Sequence, residues 1–78
     1  MDIALAFGRA VKLKRVELDI SQESLAYEAY MARSFLSGIE RGVAKASIDS
    51  VWKLATALNC RPSDLWLEAE RIYFAKNS

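Results

Sequence analysis

The apolar residues of this chain recur at intervals of three and four, which is the spacing of one face of an α-helix. Five stretches with this spacing follow one another with very short connections and no internal repeat. The positions expected to face inward are, in chain order, Phe7, Ala10, Val11 and Leu18, then Leu25, Ala26 and Ala29, then Leu36 and Ile39, and then Ile48, Val51, Ala55 and Leu58. The pattern therefore predicts an all-helical chain.

Capping and turn residues set the expected bounds of these helices. Ser21 and Ser47 are typical N-caps, Gly42 is a typical residue just beyond a helix, and Pro62 suits a first helical position. The predicted helices span about residues 3–18, 22–29, 33–40, 48–59 and 62–74. The second and third are short and are separated by about three residues, which is typical of a helix-turn-helix unit braced by other helices.

Length and composition predict a single domain over residues 1–78. With 53% apolar and 27% charged residues, three glycines and one proline, the sequence is that of a well-packed globule. A domain of this size buries only about 60% of the surface that its unfolded chain exposes. We therefore expect an additional source of stability, and dimerisation is the simplest one.

The reactive groups exclude several classes of protein. The chain has no histidine and a single cysteine, Cys60, so we expect no internal disulfide, no metal site and a cytoplasmic location. No apolar run is long enough to span a membrane, and the first residues lack the positive charge of a signal peptide. Paired carboxylates and activated nucleophiles are also missing from recognisable spacings. We expect neither an enzyme nor a protein that binds a cofactor or a small-molecule substrate.

The formal net charge of +1 neither requires nor excludes a nucleic-acid partner. The distribution of charge is more informative, because Arg33, Arg41 and Lys45 cluster in the middle of the chain while the last segment is locally acidic.

Two motifs carry a resemblance to a known family. Residues 21–26 read Ser-Gln-Glu-Ser-Leu-Ala, and residues 33–42 read Arg-Ser-Phe-Leu-Ser-Gly-Ile-Glu-Arg-Gly. From about Phe7 through Leu65 the chain resembles the XRE family of regulators, which includes the lambda repressor and Cro. The second motif more specifically resembles the controller proteins of restriction-modification systems. The resemblance implies a compact, all-α, five-helix, lambda-repressor-like DNA-binding domain with its helix-turn-helix at about residues 21–41.

The resemblance also implies a sequence-specific transcription regulator that binds double-stranded DNA as a homodimer on a palindromic operator. Arg33 is the expected base reader, because a guanidinium can bond guanine O6 and N7 together. Gln22 is the expected contact to the DNA backbone. The full expected DNA-binding set is Gln22, Arg33, Ser34, Phe35, Ser37, Gly38, Arg41 and Lys45. Phe35 remains open at this point, since it fits either a thymine methyl or the protein core.

Three further expectations concern structure rather than DNA contact. Arg15 and Glu40 match a family ion pair, in which two partly buried charges are tolerated because they are paired. Tyr30 stands in the turn where the family usually has glycine, which predicts either a remodelled turn or a strained backbone at Tyr30. Ala32 occupies the capping position of the third helix, which predicts a helix start without a side-chain cap.

The C-terminal helix carries more apolar surface than one small core can use, which predicts a dimer contact. The expected interface comprises Leu65, Trp66 and Tyr73. The alternative is that Trp66 completes the core. Two other functions also remain open: a phage- or plasmid-type repressor, and an antitoxin or other protein-interaction module whose aromatic tail covers a partner.

Overall fold

A computed structural model describes residues 1–77, which form five α-helices with short connections. The helices are α1 (Ile3–Glu17), α2 (Gln22–Glu28), α3 (Arg33–Glu40), α4 (Ile48–Ala57) and α5 (Pro62–Asn77). The predicted all-α, five-helix architecture is confirmed. Ser78, the last residue of the predicted domain, lies outside the described residues.

Local side-chain caps explain where most of the helices begin. The side chains of Asp2, Ser21 and Ser47 each accept a hydrogen bond from the backbone N–H three residues further on, at 2.8, 3.0 and 3.1 Å. Each bond satisfies one of the donors that a helix start leaves without an intrahelical partner. Ala32, before α3, provides no such bond, as its methyl side chain predicts.

Residues with a positive φ follow the ends of four helices. Asp19, Tyr30, Gly42 and Asn59 have φ values of 56°, 55°, 77° and 56°. This left-handed conformation is easy for glycine and tolerable for Asp and Asn, but it is strained for tyrosine. Gly42 is also sterically required, because an added Cβ would lie 2.8 Å from the Cα of Leu5.

The core lies between α1 and α5, which run antiparallel, and the helix-turn-helix and α4 close its other sides. The terminal amine of Met1 lies 3.3 Å from Oδ1 of Asn77, so the first and last described residues meet. The largest fully buried side chains are Val11, Leu25, Leu36, Ile39, Leu54, Leu58 and Leu65. Gly8 lets α1 approach α3 closely, because an added Cβ would collide with the Ile39 carbonyl oxygen.

Two residues predicted to face inward are exposed. Ile48 is 89% exposed because the first turn of α4 lies outside the core, which begins at Val51 in this helix. Leu18 is exposed because α1 has already ended at Glu17.

Four helix ends also differ from the sequence prediction, and one of them is that of α2, which ends at Glu28 and not at residue 29. Helix α1 ends one residue earlier than predicted, α4 ends at Ala57 and α5 continues to Asn77. In the last turn of α5 the Asn77 side-chain amide donates to the Tyr73 carbonyl at 2.8 Å. This local bond stabilises a turn that the apolar spacing of the sequence did not predict. Within residues 1–77, no helix has both the length and the apolar character needed to cross a membrane.

Candidate nucleic-acid interface

Helices α2 and α3 form a helix-turn-helix unit whose inner side is fixed by the core. Leu25 and Ala26 of α2 and Leu36 and Ile39 of α3 are all buried. The backbone N–H of Met31, in the turn, donates to the Ala26 carbonyl at 3.0 Å, which ties the turn to α2. Since one face of α3 is held in this way, its other face is presented to solvent at a fixed angle.

The exposed end of α3 carries two residues of the predicted DNA-binding set. Arg33 and Ser34, its first two residues, are exposed, and within residues 1–77 their side chains have no hydrogen-bond or ion-pair partner. Arg41 and Lys45 are also exposed and follow the other end of the helix. The structure thus places all three cations of the predicted cluster in solvent, on α3 or within five residues of its end.

The middle of α3 is less accessible than the sequence suggested. Ser37 is half-buried, and Phe35 is half-buried and packs against the core. Of the two positions open for Phe35, the structure supports the core contact, which leaves only part of the ring accessible.

Gly38 is a correction to the sequence prediction. It was expected to allow close approach to the DNA groove, but it is buried and faces the segment after α3. A Cβ added at Gly38 would lie 2.9 Å from the Cβ of Ala44, and the Gly38 carbonyl accepts hydrogen bonds from the N–H groups of Val43 and Ala44 at 2.9 and 3.0 Å. The absent side chain therefore serves packing inside the protein, and the burial of Gly38 does not fit the predicted close approach to the DNA groove.

The structure brings together Arg15 and Glu40, the two residues expected to pair. Arg15 Nε donates to Glu40 Oε2 at 2.8 Å and Arg15 Nη2 to Glu40 Oε1 at 3.1 Å. The two side chains are only 12% and 2% exposed, respectively. Arg15 Nη1 also donates to the Ile20 carbonyl at 2.9 Å, directly before the cap of α2. This bidentate pair joins the end of α1, the loop before α2 and the last residue of α3.

Gln22 is not a free surface residue. Its Nε2 donates to Glu40 Oε1 at 2.9 Å, and the side chain is half-buried at the start of α2. Sequence reasoning missed this contact because Gln22 and Glu40 are 18 residues apart and only the packing of α2 on α3 brings them together.

An apolar groove lies beside this surface, near the start of α5. Trp66 is 40% exposed, and its ring centroid lies 5.0 Å from that of Phe7. The two rings line a groove of about 250 Å³ together with Ile3, Ala4, Ala44, Lys45, Ala46 and Val51. Trp66 therefore belongs partly to the core and partly to the surface.

The other predicted interface residues differ in accessibility. Tyr73 is half-buried, and its ring lies 5.3 Å from that of the exposed Phe74. Leu65 is only 1% exposed, so its assignment to the dimer interface is wrong. It faces the core with Ala69, because residues four apart share a face of α5. Trp52 and Ile48, exposed on α4, are large apolar side chains that the predicted interface did not include.

Cys60 and Glu68 are ionisable groups away from this surface that have shifted pKa values. Burial raises the pKa of the Cys60 thiol, which lies in a groove between α1 and α5. The hydrogen bond from Arg71 lowers the pKa of the Glu68 carboxyl. Neither group lies on α2 or α3.

Comparisons with known proteins agree with this geometry. The helix-turn-helix family matches residues 11–65. The chain is 40% identical over 65 residues to the control protein C.BamHI of Bacillus amyloliquefaciens, a match that covers 82% of this chain and 80% of that protein. The solved restriction-modification controller protein C.AhdI of Aeromonas hydrophila is 37% identical with a TM-score of 0.78, covering 80% of this chain and 94% of its own.

A further solved structure shares the fold. It is the tetramer of the controller protein C.Esp1396I in complex with its natural 35 base-pair operator, with a TM-score of 0.84 and 24% identity over 92% of this chain and 95% of that chain. The family match and the identity to C.BamHI together identify the present chain. It belongs to the XRE-type helix-turn-helix family and is similar to the controller proteins of restriction-modification systems.

Proposed function

We propose that this protein is a sequence-specific DNA-binding regulator of a restriction-modification system that acts as a homodimer on a palindromic operator. The observation that carries the proposal is the exposed, unpaired Arg33 and Ser34 at the start of a helix whose other face is buried. An α-helix fits the major groove, and its first residues then reach the base edges. The operator complex of C.Esp1396I supports DNA as the partner.

Different residues perform base reading and backbone binding in this proposal. Arg33 bonds a guanine edge, and Ser34 and the accessible part of Ser37 add contacts to bases or phosphates. Arg41 and Lys45 contact phosphates on one side of the groove, and Gln22 contacts a phosphate on the other. The protein has no catalytic role, in keeping with its family.

The proposed dimer contact is the apolar surface of α4 and α5. Trp66 is exposed and Tyr73 half-buried on α5, and the groove beside Trp66 offers a concave apolar surface to a second copy. A two-fold dimer uses the same patch on both subunits, and it places two recognition helices about one turn of DNA apart, roughly 34 Å. That spacing makes a palindromic operator the natural target.

The division of roles among the DNA contacts can be tested by substitution. Arg33→Ala should weaken binding to the cognate duplex by roughly 1–3 kcal/mol per half-site and barely change affinity for a scrambled duplex. Lys45→Ala should weaken both duplexes alike and reduce the salt slope by about one unit per lost contact. Titrations at two salt concentrations measure both effects. Equal losses on both duplexes for Arg33→Ala would make Arg33 a backbone contact instead.

The dimer contact has its own test, sedimentation at micromolar concentration. The native chain should sediment as a dimer, and the double variant Trp66→Ala with Tyr73→Ala should sediment as a folded monomer. Lys53→Ala, at an exposed position of α4 that does not line this groove, is the control and should remain dimeric. A native chain that stays monomeric at high concentration contradicts the proposed dimer, and a dimeric double variant moves the interface elsewhere.

A further inference from the structure

The Glu40 carboxylate joins three segments that border the proposed DNA-binding surface. It is the last residue of α3, and its side chain is only 2% exposed. Arg15 of α1 donates two hydrogen bonds to it, and Gln22 of α2 donates a third, at 2.9 Å. The ion pair accounts for the charge balance of the cluster. The hydrogen bond from Gln22, the first residue of α2, is additional, because Arg15 alone already neutralises the Glu40 carboxylate.

This bond fixes the orientation of the Gln22 amide. An ionised carboxylate only accepts hydrogen bonds, so the amide nitrogen, and not the amide oxygen, must point toward Glu40. The nitrogen carries two N–H groups, and Glu40 takes one of them. Within residues 1–77 the second N–H has no partner, and the side chain is only half-buried. A polar donor is therefore held in one orientation at the edge of the α2–α3 surface.

We infer that Glu40 is a positioning residue for DNA binding, which holds the Gln22 amide so that its second N–H donates to a backbone phosphate. This inference rests on the proposed function. A free glutamine side chain rotates about three bonds and loses that freedom when it binds, whereas a side chain already held by Glu40 has lost most of it before DNA arrives. Arg15 makes the arrangement compatible with DNA, because it neutralises the carboxylate close to a phosphate.

The test separates this role from a purely structural one by removing the ion pair without leaving a charge buried. The double variant Arg15→Met with Glu40→Leu replaces both charges by apolar side chains of similar size, which is often neutral for stability. Gln22→Met is then introduced into the native chain and into this double variant. The probe is a duplex that the native protein selects from a random-sequence pool, and the readouts are duplex affinity and urea midpoint. Asp49→Asn with Lys53→Gln, which removes an exposed ion pair, is the control background.

We expect Gln22→Met to weaken binding about tenfold per subunit in the native and control backgrounds, as for loss of a hydrogen bond to a charged group. In the Arg15→Met, Glu40→Leu background it should weaken binding by less than about twofold, because the amide is no longer held. The urea midpoint of that background should remain close to the native one while its DNA affinity is lower. Equal losses from Gln22→Met in all three backgrounds would overturn the positioning role.

A measurement on the native chain keeps the inference testable if the double variant does not fold. Gln22 is the only glutamine, so its side-chain amide signals in an NMR spectrum can be assigned without ambiguity. One of its two protons should exchange slowly with solvent in the free protein, and the other should become protected only in the DNA complex. The exposed Asn59 amide is the internal reference. If the second proton stays unprotected in a tight complex, the inference fails while the proposed function stands, whereas a native chain that selects no duplex contradicts the proposed function.

Discussion

Glu40 shows at the scale of one residue how a buried charge is accommodated in a very small core. Its carboxylate accepts three hydrogen bonds, two from Arg15 and one from Gln22. The pairing with Arg15 could be anticipated, because family resemblance connects the two positions. The Gln22 bond could not, since a polar residue at a helix start is equally compatible with exposure, and only the crossing of α2 and α3 decides its partner.

Glu40→Gln should lower the free energy of unfolding by roughly 3–5 kcal/mol, because it leaves the Arg15 guanidinium buried without a counter-charge. Such a loss is close to the total stability of a domain of this size. Urea unfolding measures the change. Glu68→Gln is the matched control, since its partner Arg71 is exposed and little should be lost. If Glu40→Gln lowered the urea midpoint no more than Glu68→Gln does, the Arg15–Glu40 ion pair would contribute little to stability.

Tyr30→Gly should raise the free energy of unfolding by up to about 1 kcal/mol. The tyrosine has a φ of 55°, and left-handed backbone costs roughly 1–2 kcal/mol in residues other than glycine. Its side chain is 86% exposed, so removing it loses little packing. Part of the gain is offset by the greater freedom of glycine in the unfolded chain.

Asn59→Gly serves as the comparison for this strain, because Asn59 has nearly the same φ but belongs to a residue type that tolerates it. It should change stability less than Tyr30→Gly does. Urea midpoints measured with an unchanged denaturant slope would establish the difference. A destabilised Tyr30→Gly variant would mean that the ring makes a contact that outweighs the strain.

At the scale of the helix, α3 is stabilised from one end and one face only. Its start has no side-chain cap. The helix is stabilised by its buried residues and, at its last residue, by the hydrogen bonds to the Glu40 carboxylate. Ala32→Ser should therefore stabilise the protein by about 1 kcal/mol, because a serine hydroxyl can accept a bond from the Ser34 N–H; the Phe35 N–H already donates to the Ala32 carbonyl at 3.1 Å. Ser47→Ala, which removes the equivalent bond from α4, should cost a similar amount. Thermal or urea unfolding compares the two, and an Ala32→Ser variant no more stable than the native chain would mean that the Ser34 N–H is already satisfied by water.

The existence and order of the helices were predictable because apolar spacing and caps are local properties. Ser21, Ser47 and Gly42 mark boundaries that the structure reproduces to within a residue. Exposure at helix ends was not predictable from spacing. Ile48 has the correct spacing for the inward face of α4 but stands beyond the edge of the core, and the last turn of α5 carries no apolar signal although it is helical.

At the scale of the whole molecule, two surfaces can be distinguished. One is the polar end of α3 with its free Arg33, and the other is the apolar region around Trp66 on α5. The sequence indicated both but assigned Gly38 and Leu65 to them incorrectly. Leu65 stands between the exposed Asp64 and Trp66, and Gly38 has no side chain to mark a face, so in both cases the orientation depends on which neighbouring element covers the residue.

Selection of duplexes from a random-sequence pool by the native protein tests the central claim most directly, since it presupposes neither an operator nor a regulated gene. If the protein reads bases as a homodimer, successive rounds should enrich an inverted repeat whose half-site centres lie about one helical turn apart, and Arg33→Ala should no longer enrich the same repeat. Enrichment of no sequence, or of a site without two-fold symmetry, would contradict the account.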